Sequence, residues 1–262
     1  MGEAFYEQIG AGSFRSTNHT IGPWFLDSQH MGPPAALLVR ELERCAPRAD
    51  AAFSRVVFEV LGPVPISELT VRAWVERPGR SVELLSAEML VADRPVVRAH
   101  AWRIACSDTS EVAGGGPAPL PPPEQGGDLN IPSNWRRGYL EATQWRSVQG
   151  GMNGSGRATV WGRTRVDVVQ GEEASPLQRL CAIADSANGL SARLDGRAWL
   201  FINTDLSIHL HTQPAGEWFA LDAETVIGPT GAGLSNTTLH DLSGPVGRSA
   251  QCLLVRRQAQ SG

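Results

Sequence analysis

Arg94-Pro-Val-Val-Arg-Ala-His-Ala-Trp-Arg-Ile104 and Gly244-Pro-Val-Gly-Arg-Ser-Ala-Gln-Cys-Leu-Leu254 are two copies of one closing segment, with the shared signature Pro-Val-x-Arg-small. The first copy is preceded by a helix-like run at 34–45 and by strand-like runs at 54–65 and 68–77. The second is preceded by corresponding runs at 176–185, 199–214 and 217–227. The chain is therefore predicted to consist of a duplicated half whose copies have diverged.

The elements within each half predict an α+β fold. Apolar residues at 35, 38, 42 and 45 lie on one face of a helix. The run 69–76 alternates with a period of two, as a strand does, and the long strands 81–91 and 96–104 follow it after short turns. We expect each half to be one helix followed by an antiparallel meander, with the helix packed across the sheet.

A stretch rich in Pro and Gly divides the chain. Gly114-Gly-Gly-Pro-Ala-Pro-Leu-Pro-Pro-Pro123 contains too many helix and strand breakers for a central element, so we predict a semi-rigid connector. The predicted units are an N-terminal half at 1–106, a linker at 107–131 and a C-terminal half at 132–262. Within the second half, 139–148 and 158–169 predict extra strands ahead of the helix.

Two polar residues of the second half occupy positions where a core residue is expected. Asp185 shares a helix face with Leu177 and Cys181, where a carboxylate is costly unless it is hydrogen-bonded or used. Gln251 stands where the first copy has Ala101, and its amide could bond both water and Asp185. We expect Asp185 to activate or orient water. The alternatives are a helix-terminal Asp that stabilises a loop and a Gln that faces outward.

The composition excludes several functional classes. The 262 residues carry a formal net charge of −4 and lack the basic character of a nucleic-acid-binding protein. All 23 basic residues are Arg, which excludes lysine Schiff-base chemistry. His209 and His211 have no third ligand at a recognisable spacing, so neither a metal nor another cofactor is expected. With no apolar run near ~20 residues and no N-terminal targeting pattern, we expect a cytoplasmic protein without a membrane partner.

Four segments, together with the duplicated helix and meander, resemble acyl-CoA thioesterases of the TesB type over nearly the whole chain. They are His30-Met-Gly-Pro-Pro-Ala-Ala-Leu-Leu38, Ala184-Asp-Ser-Ala-Asn-Gly189, Asn203-Thr-Asp-Leu-Ser-Ile-His-Leu-His211 and Gln251-Cys-Leu-Leu-Val-Arg256. The resemblance implies a double hotdog, in which each of two antiparallel sheets wraps a helix. It also implies hydrolysis of an acyl thioester, carried by CoA or by a carrier protein, with an Asp, a Ser or Thr and a Gln that orient the attacking water.

The resemblance assigns these roles to particular residues. The Asp matches Asp185 and the Gln matches Gln251, while strict spacing places Asn203 at the hydroxyl position, with Thr204 one residue away. Because a one-residue shift turns a strand side chain to the opposite face, only one of these two can face the site. The His that often follows in the family is Leu206 here.

Thioester hydrolysis also requires N–H donors for the developing oxyanion, and helix N-termini supply such donors. Candidates for substrate binding are His30 and Gly32, ahead of the first helix, and Asn188 and Gly189, after Asp185. Two other functions remain open: a hotdog protein that binds an acyl thioester or another apolar ligand without cleaving it, and a hotdog dehydratase or isomerase. Exposed sheet edges would also allow a homo-oligomer.

Overall fold

The computed structural model describes residues 2–152 and 154–258. Within them it contains three α-helices, α1 (Gly32–Arg44), α2 (Pro176–Ala184) and α3 (Ala187–Leu190). The strands are β1 (Ala4–Gly10), β2 (Ser13–Ser16), β3 (Ala51–Val60), β4 (Glu68–Arg77), β5 (Val82–Val91), β6 (Arg94–Ala105), β7 (Gly127–Asp128), β8 (Thr143–Gly150), β9 (Arg157–Thr164), β10 (Asp167–Val169), β11 (Trp199–Asn203), β12 (Asp205–Leu210), β13 (Phe219–Ile227), β14 (Ala232–Asp241) and β15 (Gly244–Arg257).

All these strands join one sheet, in the order β10-β1-β2-β4-β5-β6-β3-β12-β15-β14-β13-β9-β8-β7, with β11 also paired to β15. The two halves meet where β3 and β12 run antiparallel. There Val57 lies opposite Ser207, 150 residues further along the chain (207 minus 57). The same offset relates the pair Leu85–Ala101 in β5 and β6 to the pair Ser235–Gln251 in β14 and β15. A local two-fold axis therefore passes between β3 and β12.

The offset shows that the buried face of the sheet differs between the halves. In the first half the equivalent positions on β5 and β6 are apolar: Leu85, Ala87, Ala99 and Ala101. In the second half those on β14 and β15 are polar and equally buried: Ser235, Thr237, Ser249 and Gln251. The predicted divergence in buried polarity is thus present position by position. At these positions the buried polar side chains therefore lie in the C-terminal half.

The helices pack against this face and against each other. α1 contacts β4, β5 and β6, while α2 contacts β9 and β13. α1 and α2 run in opposite directions, because Gly32 at the start of α1 lies against Ala182 near the end of α2. A Cβ atom at Gly32 would overlap the Ala182 carbonyl oxygen, so the close approach of the helices depends on this glycine.

The structure changes several predicted element bounds. The expected strand at 199–214 is interrupted at Thr204, which separates β11 from β12. The expected strand at 158–169 is two strands, and the second, β10, pairs in parallel with β1 of the other half. The expected strand at 139–148 begins at Thr143, because a 3₁₀ turn occupies Gly138–Leu140. At these positions a tertiary contact, and not the periodicity of the sequence, determines where a strand begins or ends.

The linker packs on the second half. Trp161 Nε1 donates to the Pro121 carbonyl at 2.8 Å, and the two residues of β7 pair with β8. The connector therefore contributes a short edge strand in addition to joining the halves. Within the described parts of the chain, none of the helices has the length and apolar character needed to cross a membrane.

Candidate active site

Asp185 lies at the point where α2 ends and is 3% exposed. Its Oδ1 accepts hydrogen bonds from Asn203 Nδ2 at 2.9 Å and from Gln251 Nε2 at 3.3 Å. Its Oδ2 lies 3.2 Å from His30 Nδ1. Four residues predicted from separate parts of the sequence therefore meet at one carboxyl group.

Gln251 is held by both ends of its amide. It lies on β15 with its side chain fully buried, and Nε2 also donates to the backbone carbonyl of Asp185 at 3.1 Å. The Oε1 atom accepts from the backbone N–H of Asn188 at 3.1 Å. The acceptor role of Oε1 fixes which end of the amide faces Asp185. Gln251 thus fixes both the position of the carboxyl group and the start of α3.

The structure distinguishes Asn203 from Thr204. Asn203, the last residue of β11, faces Asp185 and also donates to the Asp205 carbonyl at 3.2 Å. Thr204 is exposed, and its hydroxyl group donates to the Cys252 carbonyl at 3.4 Å. Thr204 lies in the break between β11 and β12 and borders the same cavity as Asn203, but only Asn203 donates to the carboxyl group. The residue at the carboxyl group is an amide where the family pattern has a hydroxyl.

His30 is fixed immediately before α1. Its ring stacks on Tyr139 with a centroid distance of 3.8 Å, and its Nδ1 accepts from the backbone N–H of Gly32 at 3.1 Å. The Tyr139 hydroxyl group donates to the Ala182 carbonyl at 2.7 Å. Nδ1 also lies 3.2 Å from Asp185 Oδ2, so the tautomer of the neutral ring depends on Asp185: Nδ1 accepts when the carboxyl group is protonated and can donate to Oδ2 when it is ionised. Tyr139 was not predicted as a site residue, because nothing in its local sequence signals this contact.

Burial shifts both titratable groups toward their neutral forms. Burial raises the pKa of Asp185 to about 7, against the opposing effect of hydrogen bonds from Asn203, Gln251 and the backbone N–H groups of Met31 and Gly32. Burial lowers the pKa of His30 to about 3. Near neutral pH the imidazole is therefore uncharged, and the carboxyl group titrates in the range useful to a general base.

A cavity of about 260 Å³ opens in front of Asp185, Asn203 and His30. Its other walls are mainly apolar: Trp24, Phe25, Met31, Leu61, Val64 and Ile202. Asn188 also lines it, whereas Gly189 lines a different cavity of about 480 Å³ beside Phe201. The structure thus brings His30, Gly32 and Asn188 to the Asp185 cluster but turns Gly189 away from it.

No cluster of three or more His, Cys, Asp or Glu side chains within residues 2–152 and 154–258 could hold a metal ion. The polar side chains at Asp185 supply carboxyl, amide and imidazole groups. These groups can position a water molecule against an electrophile that enters from the apolar cavity.

Comparisons with known proteins identify the family. Residues 20–104 match the family model for an acyl-CoA thioesterase N-terminal domain, and residues 116–255 match that for an acyl-CoA thioesterase C-terminal domain. The chain belongs to the acyl-CoA thioesterase family. It is a thioester hydrolase, with an acyl-CoA thioester as the substrate type of the family. None of the curated proteins matches it.

Solved structures share the fold of this acyl-CoA thioesterase. A conserved protein of unknown function with hot dog fold from Alicyclobacillus acidocaldarius aligns with a TM-score of 0.76 at 13% identity, over 98% of this chain and 97% of that one. A putative thioesterase II from Thermobifida fusca YX gives 0.75 at 15%, over 96% and 95%. The acyl-CoA thioesterase II TesB2 from Mycobacterium marinum gives 0.69 at 14%, over 97% and 96%. At these identities the likeness shows a hotdog fold.

Proposed function

We propose that this thioesterase hydrolyses an acyl-CoA to the free acid and CoA by direct attack of a water molecule activated by Asp185. The observation that carries the proposal is the convergence of two amide donors, Asn203 and Gln251, on one oxygen of a buried carboxyl group. Because both amides bond Oδ1, we assign the proton transfer from water to Oδ2, which lies 3.2 Å from His30 Nδ1. The adjoining apolar cavity receives the acyl thioester.

The proposed reaction has two steps. A water molecule on Oδ2 attacks the thioester carbonyl carbon while Asp185 takes one of its protons, which gives a tetrahedral intermediate. The C–S bond then breaks, and the proton passes from Asp185 to the thiolate of CoA. One water molecule is consumed, the acid gains its OH group, and Asp185 returns to its starting form without a covalent intermediate.

His30 is the proposed partner of the carbonyl oxygen. In the tautomer in which Nδ1 accepts from Gly32, the Nε2–H group is available to donate to the developing oxyanion. The ring lies at the cavity wall, and stacking on Tyr139 fixes its plane. A neutral imidazole donates without placing a second charge beside the carboxylate. Removal of one such donor typically costs 10²–10³ in kcat.

The proposed architecture is a double hotdog in which each half of the continuous sheet wraps one helix, with units at 1–106 and 132–262 and a linker at 107–131. The two-fold axis between Val57 and Ser207 supports this division. The packing of α1 on β4 to β6, and of α2 on β9 and β13, supports the wrapped helices. In this arrangement the N-terminal half contributes His30 and the cavity wall, and the C-terminal half contributes the carboxyl and amide groups.

The proposal is tested by single-turnover hydrolysis of an acyl-CoA in H₂¹⁸O with the enzyme in excess. Direct attack places one ¹⁸O atom in the acid and leaves the protein unlabelled. Mass spectrometry of the peptide that contains Asp185 shows whether the protein has taken up ¹⁸O. Incorporation of ¹⁸O into that carboxyl group would show a mixed anhydride between acyl group and enzyme, and would overturn the direct mechanism.

A second candidate is hydration of a 2,3-unsaturated thioester, which is favoured by the 3.2 Å contact between His30 and Asp185. Dehydratases of this fold use a His with an acidic partner. Crotonyl-CoA distinguishes the two reactions, because hydration removes the conjugated double bond and hydrolysis releases a thiol. We expect thiol release; hydration that outpaces it would reverse the assignment.

A further inference from the structure

The internal two-fold axis relates the catalytic cavity to a second cleft at the opposite ends of the same helices. At the catalytic end, Asp185 at the end of α2 faces Gly32 at the start of α1. At the other end, Glu43 in the last turn of α1 faces Ser175 and Gln178 at the start of α2. Glu43 accepts from Ser175 Oγ at 2.7 Å and from Gln178 Nε2 at 2.6 Å. Each junction between the helices thus contains one carboxyl group.

A cavity of about 450 Å³ opens at the Glu43 junction, which we name the second cleft. Glu43, Ser175, Phe53 and Arg103 line it. Burial raises the pKa of Glu43, as it does that of Asp185. The second cleft therefore repeats the plan of the catalytic site: a helix end with a carboxyl group, a helix start and an open cavity.

The positions equivalent to Asn203 and Gln251 carry no amide in the first half. The 150-residue offset places Phe53 at the position of Asn203 (203 minus 53) and Ala101 at that of Gln251 (251 minus 101). The oxygens of Glu43 are instead bonded to α2. Ser175 holds one oxygen of Glu43 and Gln178 holds the other, so neither oxygen is left to take a proton from a water molecule. The second cleft is not equipped for hydrolysis.

The polar groups of the second cleft are engaged within the protein. Arg48 makes five hydrogen bonds, to Asp50, Glu83 and two backbone carbonyls. Arg103 bonds Glu83 at 2.9 Å and lies over the Phe53 ring. The surface that is left for a ligand is largely apolar, from Pro47, Ala49, Ala52 and Pro176, above the buried side chains of Phe53 and Leu177. Such a surface suits a hydrocarbon chain better than a nucleotide or a phosphate.

We propose that the second cleft binds an acyl chain without cleaving it. The acyl chain has two sources, an intact acyl-CoA and the free acid released by the enzyme. The inference rests on the proposed function, because an acyl ligand is expected only if the catalytic site handles acyl thioesters. The duplication explains the site: the ancestral pair of equivalent clefts kept its cavities, while only one cleft has the water-holding amides.

Binding stoichiometry tests this inference. Calorimetry with Asp185→Asn, which prevents turnover, uses S-octyl-CoA, a thioether that cannot be hydrolysed, and octanoate in parallel. We expect two sites per chain for at least one of these probes. The variant Asp185→Asn/Ala49→Trp fills the second cleft from an exposed position that lines it, and should retain one. Asp185→Asn/Thr212→Trp, changed at an exposed neighbour outside the cleft, is the matched control and should retain both.

The two probes identify the source of the acyl chain that the second cleft binds. A second site for octanoate that Ala49→Trp removes indicates the free acid, and one for S-octyl-CoA indicates the thioester. One site for each probe in Asp185→Asn, or a second site that persists in Ala49→Trp, overturns the inference. Hydrolysis of acyl-CoA by the wild-type protein is measured separately, so failure of the second cleft is distinguishable from failure of the proposed function.

Discussion

Asn203 Nδ2 lies 2.9 Å from Asp185 Oδ1 and joins the end of β11 to the end of α2. The contact places an amide donor where a Ser or Thr stands in the family pattern. An amide N–H can hold the carboxylate as a hydroxyl group does, since both donate one hydrogen bond to it. The site therefore keeps the geometry that water activation requires despite the changed residue type.

Asn203→Ala should lower kcat about 10- to 100-fold, because Asp185 loses its shortest hydrogen bond from a neighbouring side chain. Thr204→Ala changes the neighbouring residue of the cavity wall and should lower kcat less, because the Thr204 hydroxyl group donates to the Cys252 carbonyl and not to Asp185. Thiol release from an acyl-CoA measures both. A larger loss of kcat in Thr204→Ala than in Asn203→Ala would show that Thr204, and not Asn203, is the residue that acts with Asp185.

Gln251→Ala gives the second half the residue that the first half has at Ala101. We expect kcat to fall about 100-fold, since Gln251 fixes both Asp185 and the N–H group of Asn188. Gln144→Ala, on β8, serves as the control for a glutamine away from the site. Unchanged kcat in Gln251→Ala, with Asp185 still required, would limit the amide to a packing role.

The pH profile should report Asp185. Because burial raises its pKa to about 7, the carboxylate that acts as base is a minor form at pH 5 and predominates at pH 8. We expect kcat/KM to rise with pH through an apparent pKa near 7 and then level off. His30, with a pKa of about 3, should stay neutral throughout. A flat profile between pH 5 and pH 8 would show that no buried carboxyl group limits the reaction.

Asp185→Asn should stabilise the fold, and more so at high pH. Between the ordinary pKa of 3.8 and the folded value of about 7, the unfolded chain releases the Asp185 proton and the folded chain retains it. The wild-type free energy of unfolding therefore falls as pH rises through this window, by up to about 4 kcal/mol. Urea unfolding of both proteins at pH 4.5 and pH 8 measures the difference. A gain that does not grow with pH would contradict a raised pKa.

Periodicity and duplication were sufficient to predict much of this molecule. The closing segments correspond to β6 and β15, and the predicted strand at 68–77 coincides with β4. The meeting of Asp185 with Gln251 followed from two local facts, a carboxylate on a buried helix face and an amide that replaces Ala101. Both are visible in sequence because burial and alternation are local properties.

Other features depend on contacts that no local pattern encodes. The parallel pairing of β10 with β1 joins segments from opposite halves. The break at Thr204 arises where β11 passes into β12. The stacking of His30 on Tyr139 links residues that are 109 positions apart (139 minus 30), and neither segment signals it. The sequence therefore predicted the carboxyl group and the amide better than the imidazole that faces them.

The most direct test is the rate of CoA release by wild type and by Asp185→Asn on the same acyl-CoA, with folding of both verified by circular dichroism. The substitution keeps the size of the side chain and one acceptor oxygen, but it replaces the second oxygen with an NH₂ group and so removes the base. We expect hydrolysis by the wild type and a loss of at least about 10³-fold in the variant. Turnover of the variant within threefold of the wild type would contradict it.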